Sequence, residues 1–160
     1  MKILSYKNKY EKSETVDVQS VFNKIKALKK WSDYEKDIDE MTKLKGDAFK
    51  IAQQMTYERK PESSQLRKFY DEVLKGYTLL KSPKPDVKEV RQILSMLRPR
   101  IMYASARGVV KKTFVEFINS SIDMKRFRTG ILEDFKEDYN YFIKFFESIV
   151  GYHRYLSEQR

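Results

Sequence analysis

The sequence predicts an all-α fold, a bundle of five or six helices in a single domain. Three observations carry this. Apolar residues recur at i, i+3, i+4 and i+7 in every long segment. No segment alternates with period two for long, and Gly or Asn-Gly hairpin signals are few. The chain of 160 residues has the length of one domain and can bury an ordinary core without staples.

The elements follow in order. Residues 1–15 are expected to form a frayed tail, with one helical domain over 16–160. Val18, Val21, Phe22, Ile25 and Leu28 make the first stripe, with Asp17 near the start, where an acid suits the helix dipole. Trp31 and the polar "SDYEKD" suggest a break. A second helix is expected over Ile38–Thr56, with Met41, Leu44, Ala48, Ile51, Ala52 and Met55 on one side. Gly46 weakens it by about 1 kcal/mol relative to alanine. After the loop at Lys60-Pro61-Glu62, Ser63 or Ser64 can cap a third helix. Its stripe is Leu66, Phe69, Tyr70, Val73, Leu74 and Tyr77.

"KSPKPD" (Lys81 to Asp86) is the clearest break, with two prolines and no apolar side chain beyond them. Asp86 and Val87 open a fourth helix carrying Val90, Leu94, Leu97 and Ile101. Pro99 forfeits the hydrogen bond to the Ser95 carbonyl and is expected to kink that helix without ending it. Gly108 marks its end or a further kink. A fifth segment carries Val110, Phe114, Phe117 and Ile118, and 123–130 reads as loop. The last helix, over 132–156, has Phe135, Tyr139, Phe142, Phe146, Ile149, Val150 and His153 on its main face. Tyr141, Phe145, Tyr152 and Tyr155 lie off that face. They fit either a central helix packed on most sides or a second face that docks on a protein.

Composition narrows function. There is no cysteine, which excludes disulfides and Cys-based zinc sites. The start of the chain lacks the apolar region of a signal peptide, and no run approaches the ~20 apolar residues of a membrane span. The expected location is the cytoplasm, with no membrane partner. The net charge of +10 favours an anionic partner, nucleic acid first. That charge is zoned. Between Glu89 and Glu116 there is no acid, while Arg91, Arg98, Arg100, Arg107, Lys111 and Lys112 are present. Lys125, Arg126 and Arg128 form a shorter acid-free patch, and Glu133 to Glu147 is net acidic.

Catalytic equipment is sparse. His153 is the one histidine, and it reads as a packed or interfacial residue. The acidic groups Asp37, Asp39, Glu40 and Glu133, Asp134, Glu137, Asp138 lack metal-loop spacing and read as solvated helix faces. The five glycines are scattered, so no phosphate loop exists. The expectation is no enzyme, no metal and no cofactor.

The basic segment is the better lead. On a helix advancing about 100° per residue, Arg100, Arg107 and Lys111 share one narrow stripe with Ala104 between them, provided the helix persists past Gly108. Arg98 and Arg91 point elsewhere and can pair with acids. Tyr103 lies near the stripe and can stack on a base. Guanidinium forks grip phosphate oxygens without reading bases. Ion pairs within the bundle account for the same residues equally well.

Three stretches, "SSQLRKFYDEV" (Ser63 to Val73), "LRPRIMYASARG" (Leu97 to Gly108) and "FFESIVGYHRY" (Phe145 to Tyr155), occur in this order with helical spacers. The series resembles the small α-helical subunit of type III-A (Csm) CRISPR effector complexes, over roughly residues 40–157. Gly151 departs from the alanine more usual there. The resemblance implies a non-catalytic subunit whose copies stack head to tail beside the crRNA-bearing backbone subunits. It implies contact with crRNA and target RNA through the backbone, without sequence readout. On that reading the RNA-binding candidates are Arg100, Arg107 and Lys111 first, then Arg67, Lys68, Arg98 and Lys112. The alternative is a protein–protein adaptor bundle with no direct RNA contact.

Overall fold

The computed structural model describes residues 18–159. The expected tail at 1–15 lies outside the described residues. Among these there are seven α-helices and no strand: α1 (18–27), α2 (Ile38–Thr42), α3 (Asp47–Glu58), α4 (Ser63–Leu80), α5 (Val87–Ala106), α6 (Lys112–Ser121) and α7 (Leu132–Glu158). A 3-10 segment, Trp31–Asp37, follows α1, and a 3-10 turn, Met124–Arg126, precedes α7. The all-α expectation holds, but the helix count of five or six does not.

The extra helix comes from Gly46. The single helix expected over Ile38–Thr56 is two, α2 and α3, separated by a turn. Lys45 takes a left-handed φ of 62° there, and a side chain at Gly46 would collide with the Glu40 carbonyl. Gly46 then caps α3 in extended backbone. Leu44, expected on the buried side, sits on this turn and is 67% exposed. The break expected after Trp31 is also more ordered than the polar sequence suggests. Trp31 is fully buried and donates its indole N–H to the Ser121 carbonyl at 3.2 Å. Burial of that anchor winds "SDYEKD" into 3-10 turns.

Capping follows the sequence in one case and not in another. Asp86 caps α5 as expected, its carboxylate accepting the Glu89 N–H at 3.1 Å. Neither Ser63 nor Ser64 caps α4. Glu62 holds that position without a side-chain bond, and the Ser63 hydroxyl faces His153 Nδ1 at 3.4 Å instead. The helix α5 runs unbroken through Pro99 and ends at Ala106. Gly108 adopts φ 75°, and its N–H closes on the Ser105 carbonyl. A left-handed glycine just past the last turn is a helix stop.

The long helix α7 is the axis of the bundle. At 27 residues it is about 40 Å long, and it packs against α2, α3, α4 and the Trp31–Asp37 segment. This explains its surplus of aromatics. Phe145 is fully buried between Trp31, Tyr34 and Phe117, so the central-helix reading accounts for it. Tyr155 remains 53% exposed. Helices α4 and α7 approach closely at Gly76, where an added Cβ would strike the Tyr139 hydroxyl. That hydroxyl donates to the Val73 carbonyl at 2.8 Å.

Two arginines of the basic patch at Lys125, Arg126 and Arg128 hold the 122–131 connection in place. Arg126 is 4% exposed and donates to the carbonyls of Ile25, Lys26 and Ser120 at 3.0, 2.9 and 2.9 Å. Arg128 donates its backbone N–H and its Nε to Asp138, both at 2.9 Å. Asp138, expected on a solvated face, is fully buried and also accepts the Ser32 N–H at 3.0 Å. Burial pushes its carboxyl pKa up. The side-chain and backbone bonds from Arg128, with those from Ser32, outweigh this and hold it below the usual carboxylate range.

Candidate nucleic-acid interface

On α4, Gln65, Lys68, Phe69 and Glu72 follow the i, i+3, i+4, i+7 spacing and so share one face. On α5, Leu97, Arg100 and Ala104 are spaced i, i+3, i+7, and Arg107, the C-cap of that helix, continues the same face, with Tyr103 beside them. These two faces, together with Val109, enclose a groove of about 370 Å³. Leu97 and Ala104 are buried beneath it, and Phe69 is half-buried with its ring edge-on to Phe114 at 5.3 Å. Lys68, Arg100 and Arg107 are exposed. The groove therefore has an apolar floor and a rim of three cations and one carboxylate.

The rim charges are loosely held. Arg100 Nη1 lies 3.1 Å from Glu72 Oε2, with the two side chains 50% and 42% exposed. An ion pair so open to water contributes at most about 1 kcal/mol. The Arg107 guanidinium lies over the Tyr103 ring, 5.6 Å from its centroid, a contact of about 0.5–1 kcal/mol at an exposed site. Neither Arg107 nor Lys68 makes an ion pair among the described residues. Tyr103 is 66% exposed.

Of the seven residues singled out from the sequence, the groove brings together Lys68, Arg100 and Arg107. Lys111 does not continue their stripe. The helix stops at Ala106, and Lys111 is the N-cap of α6. It stands exposed beside Lys112, the first residue of that helix. Arg98 points away, as expected, but donates Nη2 to the Ile122 carbonyl and not to an acid. Arg67 pairs with Asp71 at 3.0 Å one turn along α4. It lines a separate cleft with Ser63, Ser64, His153 and Arg154. Glu72, Gln65 and Phe69 were missed as groove residues. Their spacing on α4 was readable, but the pairing of α4 with α5 was not.

His153 is 3% exposed and away from the groove. Among the described residues no group of three His, Cys, Asp or Glu could hold a metal. No described helix is long and apolar enough to cross a membrane.

Comparison with known families decides the lineage. The family model for Csm2 Type III-A matches residues 38–159, about three quarters of the chain. The chain belongs to the Csm2 type III-A family. It is thereby a small subunit of type III-A Csm CRISPR effector complexes, built to assemble with other Csm subunits. The Csm2 match takes in α2 to α7, so both walls of the groove fall inside it. Two of the three stretches quoted from the sequence, in α4 and α5, supply those walls. At Gly151, in the third, an added Cβ meets nothing within 4 Å, so this backbone has room for an alanine. No curated protein and no solved structure matches the chain.

Proposed function

We propose that this Csm2-family subunit is non-catalytic and holds RNA, the crRNA–target duplex or the target strand, by its phosphate backbone and without sequence readout. The supporting observation is the α4–α5 groove, where Lys68, Arg100 and Arg107 converge beside a stretch of chain free of acids. Phosphate contact needs positive side chains on an accessible surface and no base-edge donors in a fixed register. The groove offers that. Lys111 and Lys112, exposed where α5 passes to α6, extend the positive surface beyond it. Arg67 and Arg98 contribute less, being engaged at Asp71 and at the Ile122 carbonyl.

Further parts of the reading go with this. The continuous core from Val18 to Ile149 supports a single helical domain over 16–160. That domain works in the cytoplasm with the other Csm subunits. Copies stack head to tail through unlike patches. Arg128 already engages Asp134, Glu137 and Asp138, so the acid-rich start of α7 offers a stacking partner less free charge than its sequence implies. The exposed Leu44 and Tyr155, which flank one apolar cleft, favour the second reading, an adaptor that meets only protein.

The two readings separate in one binding assay. Purified protein is titrated with labelled single-stranded RNA and, in parallel, with poly-glutamate of matched charge. Preferential capture of RNA, with the RNA intact after incubation with or without EDTA, is the expected result. Equal or preferential capture of poly-glutamate, or binding to neither polymer, favours the adaptor. Cleavage of the RNA overturns the non-catalytic reading.

A further inference from the structure

We infer that the α4–α5 groove takes one unpaired nucleobase along with its phosphate, so that the site prefers single-stranded RNA to duplex. This rests on the RNA-binding reading above and adds a base-stacking platform to it. Phosphate contact alone requires only the cations. It does not require the rest of the groove.

Three features are left over once the cations are assigned. The first is Tyr103, an aromatic ring 66% exposed that carries the Arg107 guanidinium on it at 5.6 Å. A core role does not explain it. A planar cation on one face of a planar ring makes a two-layer platform, and every base has a face that can lie on such a platform. The second is the floor of Phe69, Leu97, Ala104 and Val109, apolar and set back behind the charged rim. A duplex presents ribose and phosphate outward with its bases stacked inside, so it has nothing apolar to place there. A base out of the stack does. The third is size. The groove of about 370 Å³ is at the small end of ligand-sized cavities, which suits one nucleotide rather than a stretch of helix.

Glu72 completes the arrangement. Its carboxylate occupies the Arg100 guanidinium, so an incoming phosphate must displace it. The pair keeps the groove's charge partly neutralised until RNA arrives. Removing the carboxylate therefore strengthens binding, whereas a purely structural ion pair would leave affinity unchanged or lower it.

The test uses the full chain and three probes of equal length: a single-stranded RNA carrying one 2-aminopurine, a chain of abasic phosphodiester residues, and an RNA duplex. The expected order is single strand tightest, with quenching of 2-aminopurine emission on binding. Tyr103→Ala lowers single-strand affinity by about 5-fold or more and abolishes the quenching. It leaves the salt slope and the abasic-chain affinity unchanged, and Tyr103→Phe retains both stacking signals. Glu72→Gln raises affinity for all three probes. Tyr103 is exposed, so its loss does not threaten folding. The inference is overturned if wild-type protein binds the abasic chain as tightly as RNA, or if Tyr103→Ala changes neither affinity nor quenching. In both of those cases backbone binding survives. Failure of every probe to bind sinks the RNA reading and this inference together.

Discussion

Arg126 and Arg128 in the 122–131 connection and Arg100 and Arg107 in the α4–α5 groove are the same residue type in similarly basic stretches of sequence, and their fates are opposite. Arg126 is buried with three backbone carbonyls on its guanidinium, and Arg128 is clamped to the buried Asp138. Arg100 is half exposed with one carboxylate beside it, and Arg107 has only an aromatic ring. A charge run in sequence therefore marks where cations are, not what they do. The deciding quantity is how many acceptors the fold already supplies. An arginine whose five donors are satisfied internally is a staple, and one left mostly unmet is available to a ligand.

Removing a staple should have the largest effect. Arg126→Ala removes three guanidinium bonds, to the carbonyls of Ile25, Lys26 and Ser120; Ile25 keeps the Leu28 N–H. The expected loss is about 2–4 kcal/mol, read as a lower urea midpoint. A loss under about 1 kcal/mol would mean that water takes over those carbonyls and that the distinction is overstated.

The Asp138 clamp gives the same region a pH signature. Its folded-state carboxyl pKa is lowered from an unfolded value of about 3.9. Its contribution is thus complete above that unfolded value and is lost as pH falls toward the folded one. Stability of the wild type should decline through the acid range below about pH 4, and Asp138→Asn should be less stable at neutral pH with a shallower acid decline. Parallel curves for the two proteins would remove Asp138 from the account.

Gly76→Ala sharpens the comparison from within α4, which also carries Lys68 and Glu72. The added methyl meets the Tyr139 hydroxyl, and overpacking of this kind costs about 1–3 kcal/mol, offset by up to about 1 kcal/mol of helix propensity. The melting temperature should fall by a few degrees, with RNA affinity unchanged for the protein that remains folded. A drop in affinity would show that the groove depends on the α4–α7 packing.

Much of this was legible in the sequence, and the parts that were not share a cause. The helical stripes were readable because burial on one face of a helix imposes a local period. The end of α5 hinged on Gly108, which the sequence marked without saying whether it stops or kinks the helix. Its φ of 75° stops it and removes Lys111 from the stripe. The split at Gly46 was underestimated, because only tertiary packing shows that the backbone passes too close for a side chain. Asp138 looked like one of four solvated acids, since nothing local reveals that Ser32, 106 residues away, donates to it. The groove is half legible. Each wall has its own helical spacing, but their meeting is a contact between distant segments.

The smallest structural effect belongs with the central functional claim. Arg100→Ala with Arg107→Ala should lower stability by only about 1 kcal/mol, because the double change removes one exposed ion pair and one exposed cation–π contact. The decisive measurement is the salt dependence of single-stranded RNA affinity for this double variant against wild type. Each lost phosphate contact should flatten the slope of log affinity against log salt by about 0.7, so about 1.4 in all. An unchanged slope, with the protein still folded, would contradict the assignment of the groove as the RNA-holding surface.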